Sequence, residues 1–182
     1  MERCEALAAV VRGAEEELAA GGDNPALLEA LWQGEGLGVL LWALSLASMP
    51  PYDRPFNYER LLALDPRRGE FRHVDEIDAG REAARLWHWR ARTTAIRELH
   101  ETELPARWHS FDQLVAAAAM RGHERGLLPR PLRGDFPAFG TVYRDLSREQ
   151  RSEADSIAWE RHRALNWLCG LGTSWDDVPT DT

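Results

Sequence analysis

The sequence contains no lysine and only two cysteines, and these absences limit its chemistry. All 22 basic residues are arginine, so neither a lysine Schiff base nor the lysine of a phosphate-binding loop is possible. Cys4 and Cys169 lie far apart in the sequence, and two thiols do not make the framework of a disulfide-stabilised domain. We interpret them as the thiols of a protein that works in a reducing cytoplasm.

Long apolar runs and an excess of positive charge are also missing. The longest apolar run, residues 37–49, is shorter than the roughly 20 residues that cross a bilayer. The first twenty residues carry acids where a signal peptide needs basic and then apolar residues. The formal net charge is −8, whereas binding to phosphates needs a basic surface. We therefore expect a cytoplasmic protein with neither a membrane nor a nucleic acid as its partner.

What remains is the composition of an ordinary globular protein. Hydrophobic residues make up 44% of the 182 residues and charged residues 29%, and a chain of this length favours one domain, residues 1–182. Apolar residues recur at helical spacing, and no alternating run of four or more residues indicates a strand. The sequence therefore predicts an all-α bundle of about six to seven helices.

The pattern also predicts where the helices lie. Residues 37–48 are apolar nearly all round, which predicts a central buried helix that ends at Met49-Pro50-Pro51. A short helix through Trp32 should precede it. The longest helix should run from an N-cap at Asp75 to about Glu101. Segment 127–141 is rich in proline and glycine, so we expect an irregular connection, either a lid or the edge of a site.

Two further helices carry start and stop signals. Ser110 with Gln113 and Ser147 with Gln150 have the spacing of capping boxes. Gly126 and Gly170 follow the last periodic residues of these helices, where glycine favours a helix end.

Arg161 is the most unusual residue of the last helix. Apolar residues recur along 154–168, and Arg161 lies in the middle of their stripe. A charge there must be paired or must face a cleft. One interpretation is a structural ion pair inside the bundle; the other is a clamp for an anion or carboxylate in a pocket. The sequence leaves the partner open among Asp176, Asp181, Glu160 and a bound group.

A second candidate lies in the long helix. The four successive residues 87–90 (WHWR) sweep about 300° around the helix axis, so this helix should be covered on most sides. His88 and Arg92 are one turn apart and share a face. His88 is either a hydrogen-bonded core histidine or a general base or donor in a pocket.

The segment 175–182 (WDDVPTDT) contains a tryptophan and three aspartates. Trp175 has a large apolar area to bury, which predicts a tail that docks on the bundle through ion pairs. Asp176, Asp181 and Asn166 are predicted members of a polar network. A divalent metal site built from the aspartates is the less favoured alternative, because oxygen-ligand spacing alone is weakly specific. The sequence contains neither HExxH nor paired CxxC motifs, and we predict no metal and no cofactor.

Five blocks of the sequence together resemble a bacterial family known as domain of unknown function 4272. The resemblance implies a small, mostly helical bacterial protein with no assigned reaction. The blocks are residues 32–44 (WQGEGLGVLLWAL), 75–77 (DEI), 86–92 (LWHWRAR), 160–168 (ERHRALNWL) and 175–182 (WDDVPTDT). The polar residues that the resemblance marks as characteristic are His88, Arg92, Glu160, Arg161, Asp176 and Asp181.

Two functions fit these features. The first is a non-catalytic binding or interaction protein, for example an immunity-type protein that neutralises a toxin, with an acidic surface that attracts a basic partner. The second is an enzyme or a binder of a small anionic ligand, with a pocket between the His88 helix and the Arg161 helix. Its expected site residues are His88 and Glu160 for proton transfer, Arg92 and Arg161 for the anion, Trp89 and Trp175 as walls, and segment 127–141 as a lid.

Overall fold

The computed structural model describes residues 1–21, 25–99 and 110–181, and only the backbone of residues 25–28, 98 and 99. These residues form α-helices joined by irregular segments, one short hairpin and two single-turn 3₁₀ helices. The α-helices are α1 (Glu2–Ala19), α2 (Pro25–Ala43), α3 (Tyr58–Leu62), α4 (Val74–Leu99), α5 (Phe111–Glu124) and α6 (Arg148–Leu168). The hairpin pairs β1 (Pro137–Ala138) with β2 (Thr141–Val142) in antiparallel register, and the 3₁₀ helices are Pro66–Arg68 and Tyr143–Asp145.

The predicted all-α fold class is confirmed. Helix α2 packs against both α1 and α6, and α6 also packs against α4. The core therefore lies where α2, α4 and α6 meet. At one end of it, the Trp87 ring stacks on Tyr52 at 5.2 Å and meets the edge of Phe136 at 5.1 Å.

The prediction that a short helix through Trp32 is separate from the buried helix 37–48 is wrong. Helix α2 runs without a break through Gly34 and Gly36, which lie between the two predicted helices, and through Gly38. These glycines serve close packing. A Cβ at Gly38 would lie 2.3 Å from the Phe56 ring, and one at Gly34 would lie 2.7 Å from the Tyr58 ring. A glycine inside a helix costs about 1 kcal/mol relative to alanine. Here the cost is offset by the packing of the Phe56 and Tyr58 rings against the helix.

The predicted end of this helix, at Met49, is also wrong. Helix α2 ends at Ala43, and Ser45 has a left-handed backbone with φ of 60°. The Leu46 N–H donates to the Leu41 carbonyl and the Ser45 N–H donates to the Trp42 carbonyl, which is the hydrogen-bond pattern of a Schellman motif. The sequence did not reveal this end because a serine occupies the position that glycine usually holds.

Most of the other predicted boundaries agree with the structure. Ser147 and Gln150 form the capping box of α6, and the Ser110 side chain caps α5. Gly126 and Gly170 have positive φ just after these helices. Helix α4 begins at Val74, so Asp75 lies in its first turn and is not its cap. The predicted end at Glu101 lies outside the described residues.

No helix among the described residues has the length and apolar composition that a membrane span requires. Residues 127–141 are irregular, as predicted, apart from the first strand and the start of the second strand of the hairpin.

Candidate functional site

Arg161 is completely buried and is one half of an internal ion pair. Its Nε donates to Glu35 Oε2 at 2.7 Å. Its two terminal nitrogens donate to backbone carbonyls of the segment after α2: Nη1 to Pro50 at 2.7 Å and Nη2 to Arg54 at 2.8 Å. The partner is therefore a carboxylate on α2, and it is none of the three acids that the sequence suggested.

Glu35 completes this buried cluster. Its Oε1 accepts a hydrogen bond from the Phe56 amide at 2.7 Å and one from the Tyr58 hydroxyl at 3.2 Å. The Arg161 guanidinium also lies 4.9 Å from the centre of the Tyr52 ring. Because each of its nitrogens already donates inside the fold, the guanidinium holds residues 50–56 against α2 and α6 and is not presented to a ligand.

A second buried ion pair anchors the irregular segment 127–141. Arg90 on α4 donates to both carboxylate oxygens of Asp135, at 2.7 and 2.8 Å. The same carboxylate accepts hydrogen bonds from the Phe136 and Arg144 amides. Burial raises the pKa of Asp135, but the Arg90 guanidinium and these amides outweigh it and lower that pKa overall. Sequence analysis named Arg90 only as part of the run 87–90 and did not single out Asp135.

One cavity of the structure, which we call the apolar groove, measures about 610 Å³ and includes Trp42, Tyr52, Ala83 and Trp87 in its lining. Leu127, Pro129 and Pro137 line this groove. The segment predicted as a lid therefore borders the apolar groove and not the cavity described next.

A smaller open cavity lies between α2, α4 and α6, and we call it the α2–α4–α6 pocket. Its volume is about 260 Å³. The second functional hypothesis predicted a pocket between the His88 helix and the Arg161 helix, and this cavity lies there. It is lined by Glu29, Trp32, His88, Arg92, Asp155, Ser156, Trp159 and Glu160.

Glu160 is the most unusual residue of this pocket. Its residue exposure is 1%, and neither carboxylate oxygen has a hydrogen-bond partner within the described part of the chain. Burial, opposed by Arg163 and reinforced by Glu29 and Glu35, raises the pKa of Glu160 to about 8. The side chain is therefore mainly a neutral carboxylic acid at pH 7.

His88 belongs to a chain of buried polar groups that reaches the C-terminal tail. The Asn166 amide donates to the Pro179 carbonyl at 2.8 Å and contacts His162 Nε2 at 3.0 Å. Nδ1 of His162 lies 3.1 Å from Nδ1 of His88. Since the Asn166 nitrogen is a donor, His162 Nε2 accepts, and the His162 proton lies on Nδ1. His88 Nδ1 then accepts in turn, so the His88 proton lies on Nε2.

Both histidines are neutral at pH 7. Burial, followed by the charge of Arg92, lowers the pKa of His88 to about 4. Burial, followed by the neighbouring His88, lowers the pKa of His162 to about 4. His88 is thus both a hydrogen-bonded buried histidine and a residue of the pocket lining, two roles that the sequence analysis treated as alternatives.

The remaining predicted site residues lie at the edge of the pocket or away from it. Arg92 is a half-exposed pocket residue that lies 4.0 Å from Asp181. Trp89 packs against the core. Asp176 is exposed and lies 3.6 Å from Arg163. None of Trp89, Trp175 and Arg161 is among the residues that line the pocket.

Trp175 anchors the tail, as predicted, and is not a pocket wall. It is buried, its ring lies 5.8 Å from the Trp167 ring, and the Arg3 guanidinium lies 4.3 Å from its centre. A Cβ at Gly36 would lie 3.1 Å from this indole, so the glycine of α2 leaves room for it.

Sequence analysis missed Glu35, His162 and Trp159, which the structure places in the buried cluster, in the polar chain and in the pocket. His162 lies four residues before Asn166, a spacing that places both on one face of α6 and could have revealed it. Nothing in the local pattern marks Trp159 or pairs Glu35 with Arg161.

Comparisons of this chain with protein-family models, with curated proteins and with solved structures found no match. The resemblance to domain of unknown function 4272 therefore stays a prediction. Within the described residues, no three or more histidine, cysteine and acidic side chains are grouped so that they could hold a metal ion.

The neutral state of Glu160 predicts how stability depends on pH. Because its pKa is about 8 in the folded chain and near 4.3 when unfolded, the folded state binds more protons between these values, and stability falls as pH rises. The lowered pKa values of the histidines act in the opposite direction, mainly below pH 6.5 and with a smaller effect up to about pH 7.5. Between pH 6.5 and 8 we expect the free energy of unfolding to fall by about 1–2 kcal/mol because of Glu160.

Urea unfolding of Glu160→Gln at several pH values tests this expectation. The variant should lack the fall between pH 6.5 and 8. Glu153→Gln, on the same helix and outside the pocket lining, should keep it. Equal slopes for the wild type and Glu160→Gln would contradict the neutral state of Glu160.

Proposed function

We propose that this protein is a non-catalytic binding protein whose binding site is the α2–α4–α6 pocket. The observation that carries the proposal is Glu160, a buried carboxyl group that lines an open pocket and has no hydrogen-bond partner among the described residues. Buried polar groups are normally satisfied, and one left without a partner in a cavity is typical of a group that meets a ligand.

The other buried acids support this assignment by contrast. Glu35 and Asp135 are each held by a guanidinium and by one or more backbone amides. The fold thus supplies full partner sets to carboxylates that serve its own stability. Glu160 lacks such a set among the described residues and lines an open pocket.

We propose further that the protein acts in the bacterial cytoplasm, as the composition and the sequence resemblance imply. Both of its cysteines are free, Cys4 buried and Cys169 exposed. The net charge of −8 favours a basic partner. A protein partner, such as the toxin of an immunity-type pair, and a small molecule are both consistent with a pocket of this size.

An enzyme is the second candidate, and one observation favours it. Glu160, a neutral acid at pH 7, and His88, whose proton lies on Nε2, line the same pocket. Glu160 can thus act as a general acid while the His88 N–H stabilises a developing negative charge. If this candidate is correct, a molecule bound in the pocket is converted over hours, and Glu160→Gln binds the molecule without converting it. NMR spectra of the bound molecule over time report this.

A fragment screen followed by indole NMR tests the binding proposal. We expect fragments to shift the indole signals of Trp32 and Trp159. Ser156→Phe, which fills the pocket, should abolish these shifts. Ala83→Phe, which fills the apolar groove, should leave them unchanged. No binding at all, or equal binding to the Ser156→Phe variant, would contradict the proposal.

A further inference from the structure

Acidic groups outnumber basic ones in the lining of the α2–α4–α6 pocket. Glu29, Asp155 and the neutral Glu160 contribute three carboxyl groups, and Arg92 contributes the one guanidinium among the described lining residues. The Arg92 side chain is about half exposed and already lies near Asp181. The pocket therefore attracts positive groups more strongly than negative ones.

Glu160 lacks the partner that the other buried carboxylates have. In each of the other two cases a guanidinium nitrogen lies 2.7 Å from a carboxylate oxygen, from Arg161 to Glu35 and from Arg90 to Asp135. In the described part of the chain no cation takes this place at Glu160. A positively charged nitrogen that donates hydrogen bonds would give Glu160 the kind of partner that Glu35 and Asp135 already have.

The walls of the pocket also suit a cation. Trp32 and Trp159 both line it, and indole rings bind organic cations through their negative faces. Trp159 already does so inside the protein, since the Arg163 guanidinium lies 5.1 Å from the centre of its ring. A volume of about 260 Å³ lies just below the roughly 300–1,000 Å³ of pockets for drug-sized ligands, which limits the occupant to a compact group.

We propose that the α2–α4–α6 pocket binds a compact organic cation, an amine or a guanidinium, whose positive nitrogen pairs with Glu160 and contacts the indoles of Trp32 and Trp159. This inference rests on the proposed binding function and names its ligand class. The cation is either a free small molecule or the end of a basic side chain of a partner protein, and both present the same chemistry to the pocket.

Capture of such a cation releases a proton. In the free protein Glu160 holds a proton at pH 7; on binding, this proton passes to the solvent and the carboxylate pairs with the cation, which keeps its own protons. His88, with a pKa of about 4, stays neutral between pH 6 and 8. Among the described residues, the charged and titratable groups around Glu160 are Glu29 and Glu35 on α2, Tyr58 on α3, His88 and Arg92 on α4, and Asp155 and Arg163 on α6.

Calorimetry with probes of matched shape and different charge tests the ligand class. The probes are benzylammonium, benzyl alcohol and benzoate, with Nα-acetylarginine amide as the side-chain mimic. We expect the two cations to bind at least tenfold more tightly than benzyl alcohol and benzoate. Titrations in phosphate and in HEPES, neither of which is a net cation, should show release of nearly one proton at pH 7. The dissociation constant for benzylammonium should rise close to tenfold between pH 7 and 6.

Glu160→Gln should weaken cation binding at least tenfold and abolish proton release, while Glu153→Gln should leave both unchanged. Tighter binding of the arginine mimic points to a protein partner, and tighter binding of benzylammonium points to a free amine; both support the cation. Preferential binding of benzoate or benzyl alcohol would overturn the inference and leave the binding function standing. Absence of binding by every probe and every screened fragment would overturn both.

Discussion

Replacing Arg161 with methionine is expected to lower the free energy of unfolding by about 3–5 kcal/mol. Methionine keeps most of the length of the side chain but removes the charge, so Glu35 is left buried without its guanidinium. The carbonyls of Pro50 and Arg54 lose their donors as well. Urea unfolding at pH 7 measures the loss.

Two further variants separate the ion pair from a general effect of losing an arginine. Arg148→Met, at the exposed start of the same helix, should change stability by less than about 0.5 kcal/mol. The double variant Glu35→Gln/Arg161→Met should lose less than the sum of its two single variants, because the residues interact directly. An Arg161→Met protein as stable as the wild type would show that the fold does not need the charge, and Arg161 would then return to the list of site candidates.

Asp135→Asn is expected to destabilise the protein by a similar amount, about 3–5 kcal/mol. The carboxylate accepts hydrogen bonds from two Arg90 nitrogens and two backbone amides. An asparagine presents an NH₂ group to these donors on one side and leaves Arg90 as an unpaired buried charge. Because the pKa of Asp135 is lowered in the fold, its contribution is complete above about pH 4 and is lost as pH falls below it.

Asp145→Asn is the matched control for this loss. Asp145 pairs with Arg133 in the same part of the chain, but both side chains are exposed, and such pairs contribute about 0–1 kcal/mol. If both aspartate variants unfold at the same urea concentration, the Arg90–Asp135 pair is not what anchors the irregular segment.

The helices could be predicted where the local sequence carries the signal. The capping box of α6 and the glycine stops of α5 and α6 are short-range patterns, and the structure agrees with them. Helix α2 was predicted as two helices, with Gly34 and Gly36 between them, and glycine is a weak helix former when only the local sequence is considered. Gly34 and Gly38 make room for the Tyr58 and Phe56 rings that lie against them, and this packing is specified by residues some twenty positions away.

The site was predicted in part for the same reason. The apolar stripe around Arg161 predicts a buried charge, and the shared face of His88 and Arg92 is consistent with a pocket wall. Both features follow from helical spacing. The identity of the partners depends on how the helices pack. Glu35 pairs with a residue 126 positions later, and the hydrogen bond between His88 and His162 spans 74 positions. No periodic pattern contains information at such distances.

The long sequence distance between Glu35 and Arg161 also governs the order of events during synthesis. Helices α1 and α2 are neighbours in the chain and pack against each other, so they can associate soon after they leave the ribosome. Until residue 161 has been made, however, Glu35 has no cation and residues 50–56 have no guanidinium to hold them. The core around α2 therefore cannot be completed until α6 has been synthesised. In a chain that stops before α6, the Glu35 carboxylate can be neither buried nor paired. We expect such a chain to be degraded by proteases rather than to form a smaller folded domain.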